Sequence, residues 1–150
     1  MRQLTVIAHA PSSNLSALAR VLQEGAAQAD ISVSVLSPLE ADANAALNAD
    51  ALILLTPENL GYMSGAMKDW FDRIYYPCLD HTQGKPIAAV VRAGHDGTGT
   101  QQALKTITTG LRWRWVQPVL LLRGDWQADF IQQAQQLGEA MGYALEQGMI

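Results

Sequence analysis

The sequence predicts a doubly wound α/β domain: a five-stranded parallel sheet in the order 2-1-3-4-5, with helices on both faces. Three observations predict it. Five short, nearly uninterrupted apolar runs punctuate the chain, as strands covered on both faces require. Most of the connections between them carry a helical pattern, which makes them right-handed crossovers between parallel strands. The length, 150 residues with 49% hydrophobic and 16% charged side chains, is that of one domain (residues 1–150) with a full core.

The strands are expected at Leu4–Ala8, Ile31–Ser37, Ala51–Thr56, Pro86–Arg92 and Val119–Arg123. The last is expected to run unbroken into Asp125-Trp126. Helical spacing of apolar residues marks Asn14–Ala29 (Leu15, Leu18, Leu22, Ala26), Ser64–Tyr75 (Met67, Trp70, Phe71, Ile74) and Thr100–Leu111 (Leu104, Ile107, Leu111). It also marks Asp129–Leu145 through Phe130, Ala134, Leu137, Met141 and Leu145, and Leu39–Ala49 reads as a short helix.

Composition removes several functions. With 10 Lys+Arg against 14 Asp+Glu the net charge is -4, and no basic cluster exists to neutralise nucleic-acid phosphates. One cysteine, Cys78, permits no internal disulfide. Cys78 with the scattered His9, His81 and His95 shows no metal-ligand spacing, so no metal is expected. The first residues read as a strand and not as a signal peptide, and the run from Val116 to Leu122 is broken by Gln117 and Pro118. The expected location is the cytoplasm.

In open parallel sheets ligands bind beyond the carboxyl ends of the strands, where strand order reverses. The loops after strands one, three and four are therefore the candidates. The first, His9-Ala10-Pro11-Ser12-Ser13-Asn14-Leu15, opens a helix. Backbone N–H groups at such a helix start, with serine hydroxyls, can hold a phosphate without a cation; the alternative is an ordinary N-cap by Ser12, Ser13 or Asn14. Neither GxxxxGK[ST] nor GxGxxG is present. The second loop, from Thr56 to Gly65, places apolar Leu60, Tyr62 and Met63 where solvent is expected, which suits a flat apolar ligand. The third, Ala93-Gly94-His95-Asp96-Gly97-Thr98-Gly99, has three glycines that admit close backbone approach.

Together these loops resemble a known family. Thr56-Pro57-Glu58-Asn59-Leu60-Gly61-Tyr62-Met63-Ser64-Gly65-Ala66-Met67-Lys68-Asp69-Trp70-Phe71-Asp72-Arg73 is similar to the TP-x-x-x-G-x-MSG-x-[ML]-K-x-x-x-D segment of flavodoxin-like FMN proteins. That group includes NAD(P)H-dependent FMN reductases and related quinone reductases. Ser12-x-Asn14 with Leu18-Ala19 resembles the family's phosphate loop, and Ala93–Gly97 takes the place of its second flavin loop. The first loop departs from the pattern: it is short, lacks glycine, and loses one N–H donor at Pro11.

The resemblance implies a flavodoxin-like fold and an FMN cofactor. It would place the phosphate on Ser12, Ser13, Asn14 and Leu15. The flavin ring would lie between Pro57, Glu58, Asn59, Leu60, Gly61, Tyr62 and Met63 on one side and Ala93, Gly94, His95, Asp96 and Gly97 on the other. Tyr62 or Met63 would cover a ring face, and His95 is the candidate proton donor. The expected activity is transfer of reducing equivalents from NAD(P)H through flavin to a quinone or another small acceptor. Two other readings stand beside it: a flavodoxin-type electron carrier, and a degenerate flavodoxin-like binding protein without FMN. A phospho-receiver domain is set aside because His9 and Thr56 stand where its acidic residues are needed. A homodimer is expected, with Tyr75, Tyr76 and Trp113 meeting the partner, while Trp115 closes the monomer core.

Overall fold

The computed structural model describes residues 1–150. In chain order the elements are β1 (Gln3–Ala8), α1 (Ser13–Ala26), β2 (Ser32–Leu36), α2 (Ala43–Leu47), β3 (Ala51–Asn59) and β4 (Tyr62–Met63). There follow α3 (Gly65–Cys78), β5 (Pro86–Ala93), α4 (Thr98–Gly110), β6 (Arg114–Trp115), β7 (Leu120–Arg123) and α5 (Asp129–Glu146). β2, β1, β3 and β5 are neighbours in that order, all parallel.

At the far edge an earlier, unexpected piece precedes the expected last strand. β6 pairs with Pro86 and Ile87 at the start of β5, and β7 pairs with Val90 to Ala93 at its end. These are two halves of one edge strand, interrupted at residues 116–119. Pro118 has no N–H to give a ladder, so an edge is where it is tolerated. β7 also stops at Arg123 instead of continuing to Trp126, because Gly124 turns away at φ 86°. Counted as one strand, β6 and β7 complete the order 2-1-3-4-5 of a flavodoxin-like sheet.

Alternation along the strands divides the core into two layers. Leu4, Val6, Ile53, Leu55, Ala88 and Val90 face α1 and α5. Ile7, Leu52, Leu54, Ile87, Ala89 and Val91 face the layer built from α2, α3 and α4. Trp113 belongs to this second layer, which corrects its expected place at a dimer interface. It is buried beside Trp70 and Phe71, with ring centroids 6.3 and 6.0 Å away, and its indole N–H donates to Thr82 Oγ1 at 2.8 Å. Trp115 is half-buried and donates to Thr108 Oγ1. Tyr76 stays exposed, and Tyr75 is half-buried against it. Cys78 is fully buried at the end of α3, and burial pushes its thiol pKa up. No helix is long and apolar enough to cross a membrane.

On the first face α1 and α5 approach until their backbones touch. A Cβ on Gly138 would lie 2.4 Å from the carbonyl oxygen of Leu22, and one on Gly142 would lie 2.5 Å from that of Ala26. Gly25 reciprocates: a Cβ there would lie 2.3 Å from the oxygen of Gln135. The obstacle in each case is backbone, which cannot swing aside. Gly138→Ala is therefore expected to destabilise the fold by about 1–3 kcal/mol through overpacking, despite alanine's better helix propensity. Urea unfolding measures it, and a midpoint equal to wild type would contradict the close approach.

Candidate functional site

At the carboxyl end of β1 the chain makes a short approach to α1. The His9 N–H donates to the carbonyl of Leu55 at 2.9 Å, which extends the β1–β3 pairing into the loop. Ser12 is the N-cap: its Oγ accepts from the Leu15 N–H at 3.2 Å, and its carbonyl accepts from Ser16. Of the three capping candidates the structure selects Ser12, and Asn14 lies inside the first turn. The N–H groups of Ser13 and Asn14 have no partner, as the first turn of a helix dictates, and Ser12, Ser13 and Asn14 are exposed. One atom beside them is unusual: His9 Nδ1 is buried and unbonded. Burial lowers the His9 pKa below its ordinary value.

The segment after β3 is a hairpin, where the sequence suggested an irregular loop. β3 continues through Pro57, Glu58 and Asn59 and turns back as β4, with Asn59 opposite Tyr62 and Glu58 opposite Met63. The two turn residues, Leu60 and Gly61, both have positive φ (55° and 77°), the type I′ geometry that matches strand twist. Thr56 closes the base: its Oγ1 accepts from the buried Ser64 N–H at 3.0 Å, and Ser64 Oγ in turn caps α3 at Met67. Leu60 is fully exposed and Tyr62 partly so, but Met63 is 2% exposed and packs in the core. Of the two side chains considered for covering a ring, only Tyr62 reaches the surface.

The third loop places Gly94, His95 and Asp96 in solvent with no partner for their N–H groups. Ala93 and Gly97 are buried. Gly97 adopts φ 77° against Leu121, with room for no Cβ, and offers α4 no side-chain cap. The cap comes from Glu58 on the hairpin. Its Oε1 accepts from the Gly97 N–H at 3.1 Å, and its Oε2 accepts from the Thr100 N–H at 3.3 Å and the Thr100 hydroxyl at 2.7 Å. Thr100, buried and unflagged by the sequence, is the partner that a reading by local spacing could not find. Just before Ala93, the Arg92 guanidinium donates to the carbonyls of Ala93 and Leu122 and lies over the Phe130 and Trp126 rings.

β1, β3 and β5 are adjacent and parallel, so the three loops meet at one sheet edge. The edge is a shallow surface. The largest cavity, about 480 Å³, lies elsewhere, between Gln3, Thr5 and Ser34 on the sheet and Asn44 and Asn48 on α2. No group of His, Cys, Asp and Glu is placed to hold a metal ion.

A family model described as NADPH-dependent FMN reductase matches residues 38–127, more than half the chain and including the hairpin and the third loop. The chain belongs to this FMN reductase family. No curated protein matches it by sequence. Among solved structures, a flavodoxin from the domain Archaea superposes with a TM-score of 0.81 at 19% identity, covering 97% of this chain and 99% of that one. A flavodoxin, WrbA-like protein from Agrobacterium tumefaciens superposes at 0.77 with 17% identity, covering 98% and 99%. Rubredoxin oxygen:oxidoreductase from Desulfovibrio gigas gives 0.81 at 14% identity, covering 99% of this chain but 37% of that one. At such identities these likenesses show the flavodoxin-like fold. Family and neighbours support an oxidoreductase flavoprotein with FMN as its group.

The donors present suit that group. Ser13 and Asn14 offer two free N–H groups at the positive end of a 14-residue helix, the arrangement that holds phosphate without a cation. Leu60, Tyr62 and the exposed backbone of Gly94 to Asp96 offer a flat, mostly uncharged surface to a ring.

Two outcomes follow from the first loop. Ser12→Ala should cost about 1 kcal/mol in urea unfolding through the lost cap, whereas Asn14→Ala should stay within about 0.5 kcal/mol of wild type; the reverse order would move the helix start. His9 sets a pH dependence. Its depressed native pKa means that, as pH falls below about 6.5, the unfolded chain takes up the proton first and stability declines. His9→Gln should lose less stability than wild type between pH 7.5 and 5, and parallel losses would contradict the assignment.

Proposed function

We propose that this chain binds FMN at the carboxyl ends of β1, β3 and β5 and passes reducing equivalents from NAD(P)H to a quinone or another small acceptor. One observation carries the reading: a helix start with unpartnered N–H groups meets two exposed loops, one of them apolar, at adjacent strands of a single sheet edge. FMN, when bound, supplies the hydride chemistry. The chain's part is to bind and orient. The free N–H groups of Ser13 and Asn14, with the Ser12 hydroxyl, hold the phosphate; the Leu15 N–H, already given to Ser12 Oγ, does not take part. Residues 57–62 and 93–97 flank the ring. The free N–H groups of Gly94, His95 and Asp96 balance negative charge there, and that of Gly97, already given to Glu58, does not take part. Tyr62 covers a ring face and limits access. His95, exposed on the third loop, holds the proton that a reduced acceptor takes up.

The second reading, a flavodoxin-type carrier, draws on the archaeal flavodoxin's likeness across nearly both chains. Such a carrier docks by charge, and a net charge of -4 without an acidic run favours the enzyme. We also place a second copy of this chain against the exposed Tyr76 and its T-shaped neighbour Tyr75.

Titration of the protein with FMN should quench flavin fluorescence at micromolar protein. Unchanged fluorescence would transfer the chain to the degenerate class. Bound FMN with no oxidation of NADH or NADPH, with or without a quinone, would make it a carrier. Light scattering should return a dimer mass, and a clean monomer would remove the tyrosine interface.

A further inference from the structure

Glu58 is the one side chain that hydrogen-bonds from the second loop to the third and the helix it opens. Its two carboxylate oxygens take three hydrogen bonds, one from the N-cap residue Gly97 and two from Thr100 in the first turn of α4, 39 and 42 positions away in sequence. The surrounding backbone is shaped to permit this. Gly97 has φ 77° and provides no cap of its own, so the first turn of α4 depends on an acceptor from outside. Gly99 lies so close to the hairpin that a Cβ on it would meet the Gly61 carbonyl oxygen at 2.1 Å. Thr100 is completely buried, and its hydroxyl makes the shortest of the three bonds. Part of the helix's positive end is therefore satisfied by a carboxylate of the same chain.

We propose that Glu58 is a positioning residue for flavin: it couples hairpin and third loop into one rigid wall, and its charge biases the site against further negative charge. The proposal rests on the FMN reading above and assigns the control within that site. A reduced flavin carries more negative charge than an oxidised one. A fixed carboxylate behind the wall, with the N–H groups of Gly97 and Thr100 already used, weakens the reduced form relative to the oxidised form. The midpoint potential is thereby lowered, which suits a flavin that must hand its electrons on.

The test compares wild type, Glu58→Gln and Thr100→Val in two measurements. The first is amide hydrogen exchange on the FMN-free proteins. Glu58→Gln keeps one acceptor oxygen but places an NH₂ against N–H donors, so exchange at Gly97 and Thr100 should accelerate about tenfold. Unchanged exchange overturns the bridge. The second is the midpoint potential of bound FMN. Glu58→Gln removes the charge and should raise the potential, by about 30 mV for a tenfold shift in the relative affinity of the two flavin states. Thr100→Val loosens the bridge yet keeps the charge, and should not raise it. An equal rise in both variants, or none in Glu58→Gln, overturns the electrostatic role. Faster exchange in Glu58→Gln while wild type takes up no FMN overturns the proposal through the flavin reading, leaving Glu58 as a helix cap.

Discussion

Everything at the candidate site hangs from β3. Leu52, Ile53, Leu54 and Leu55 are fully buried, with β1 bonded on one side and β5 on the other. A strand enclosed on both edges and both faces has no freedom of register, because a one-residue slip would exchange its two core layers. β3 is also nine residues long and outruns the sheet. Its last residues leave the ladder, yet they inherit its direction, and they place Glu58 and the Leu60–Gly61 turn beside the third loop. The site's geometry is thus set by core packing several residues away.

The buried parts of this arrangement were legible in the sequence. Continuous apolar runs located β1, β3 and β5 within a few residues, since strands covered on both faces cannot alternate with polar residues. Helical spacing located α1, α3, α4 and α5, because each must bury one face. The failures share a cause too. The hairpin was hidden because its turn places Leu60, a poor residue for positive φ, before Gly61, where Asn-Gly would have announced it. Trp113 was misplaced because its burial depends on Trp70, Phe71 and Thr82, which lie far from it in sequence. The first half of the edge strand, Arg114–Trp115, is too short to show a period in the sequence, whereas the half after Pro118 was legible as an apolar run up to the turn at Gly124.

Site residues were legible as loops and less so as roles. The three loops were correctly placed at one edge by topology alone. What could not be read was the division of labour inside them. Met63 and Leu60 look alike in sequence, but one is core and the other solvent-facing. Glu58 looks like a surface carboxylate, but it is the cap of a helix that begins 40 residues later. Such long-range assignments need the fold first. The walls of this shallow edge are held by bonds within the chain, and need no enclosing cavity.

The most direct test of a flavin site at this edge is a map of backbone amide NMR shifts as FMN is added to the ¹⁵N-labelled protein. The account predicts perturbations concentrated at residues 12–15, 57–62 and 93–97, with the strand interiors and the α1–α5 contact unmoved. Perturbations centred instead on the cavity of Gln3, Thr5, Ser34 and Asn44, or none at saturating FMN, would contradict it.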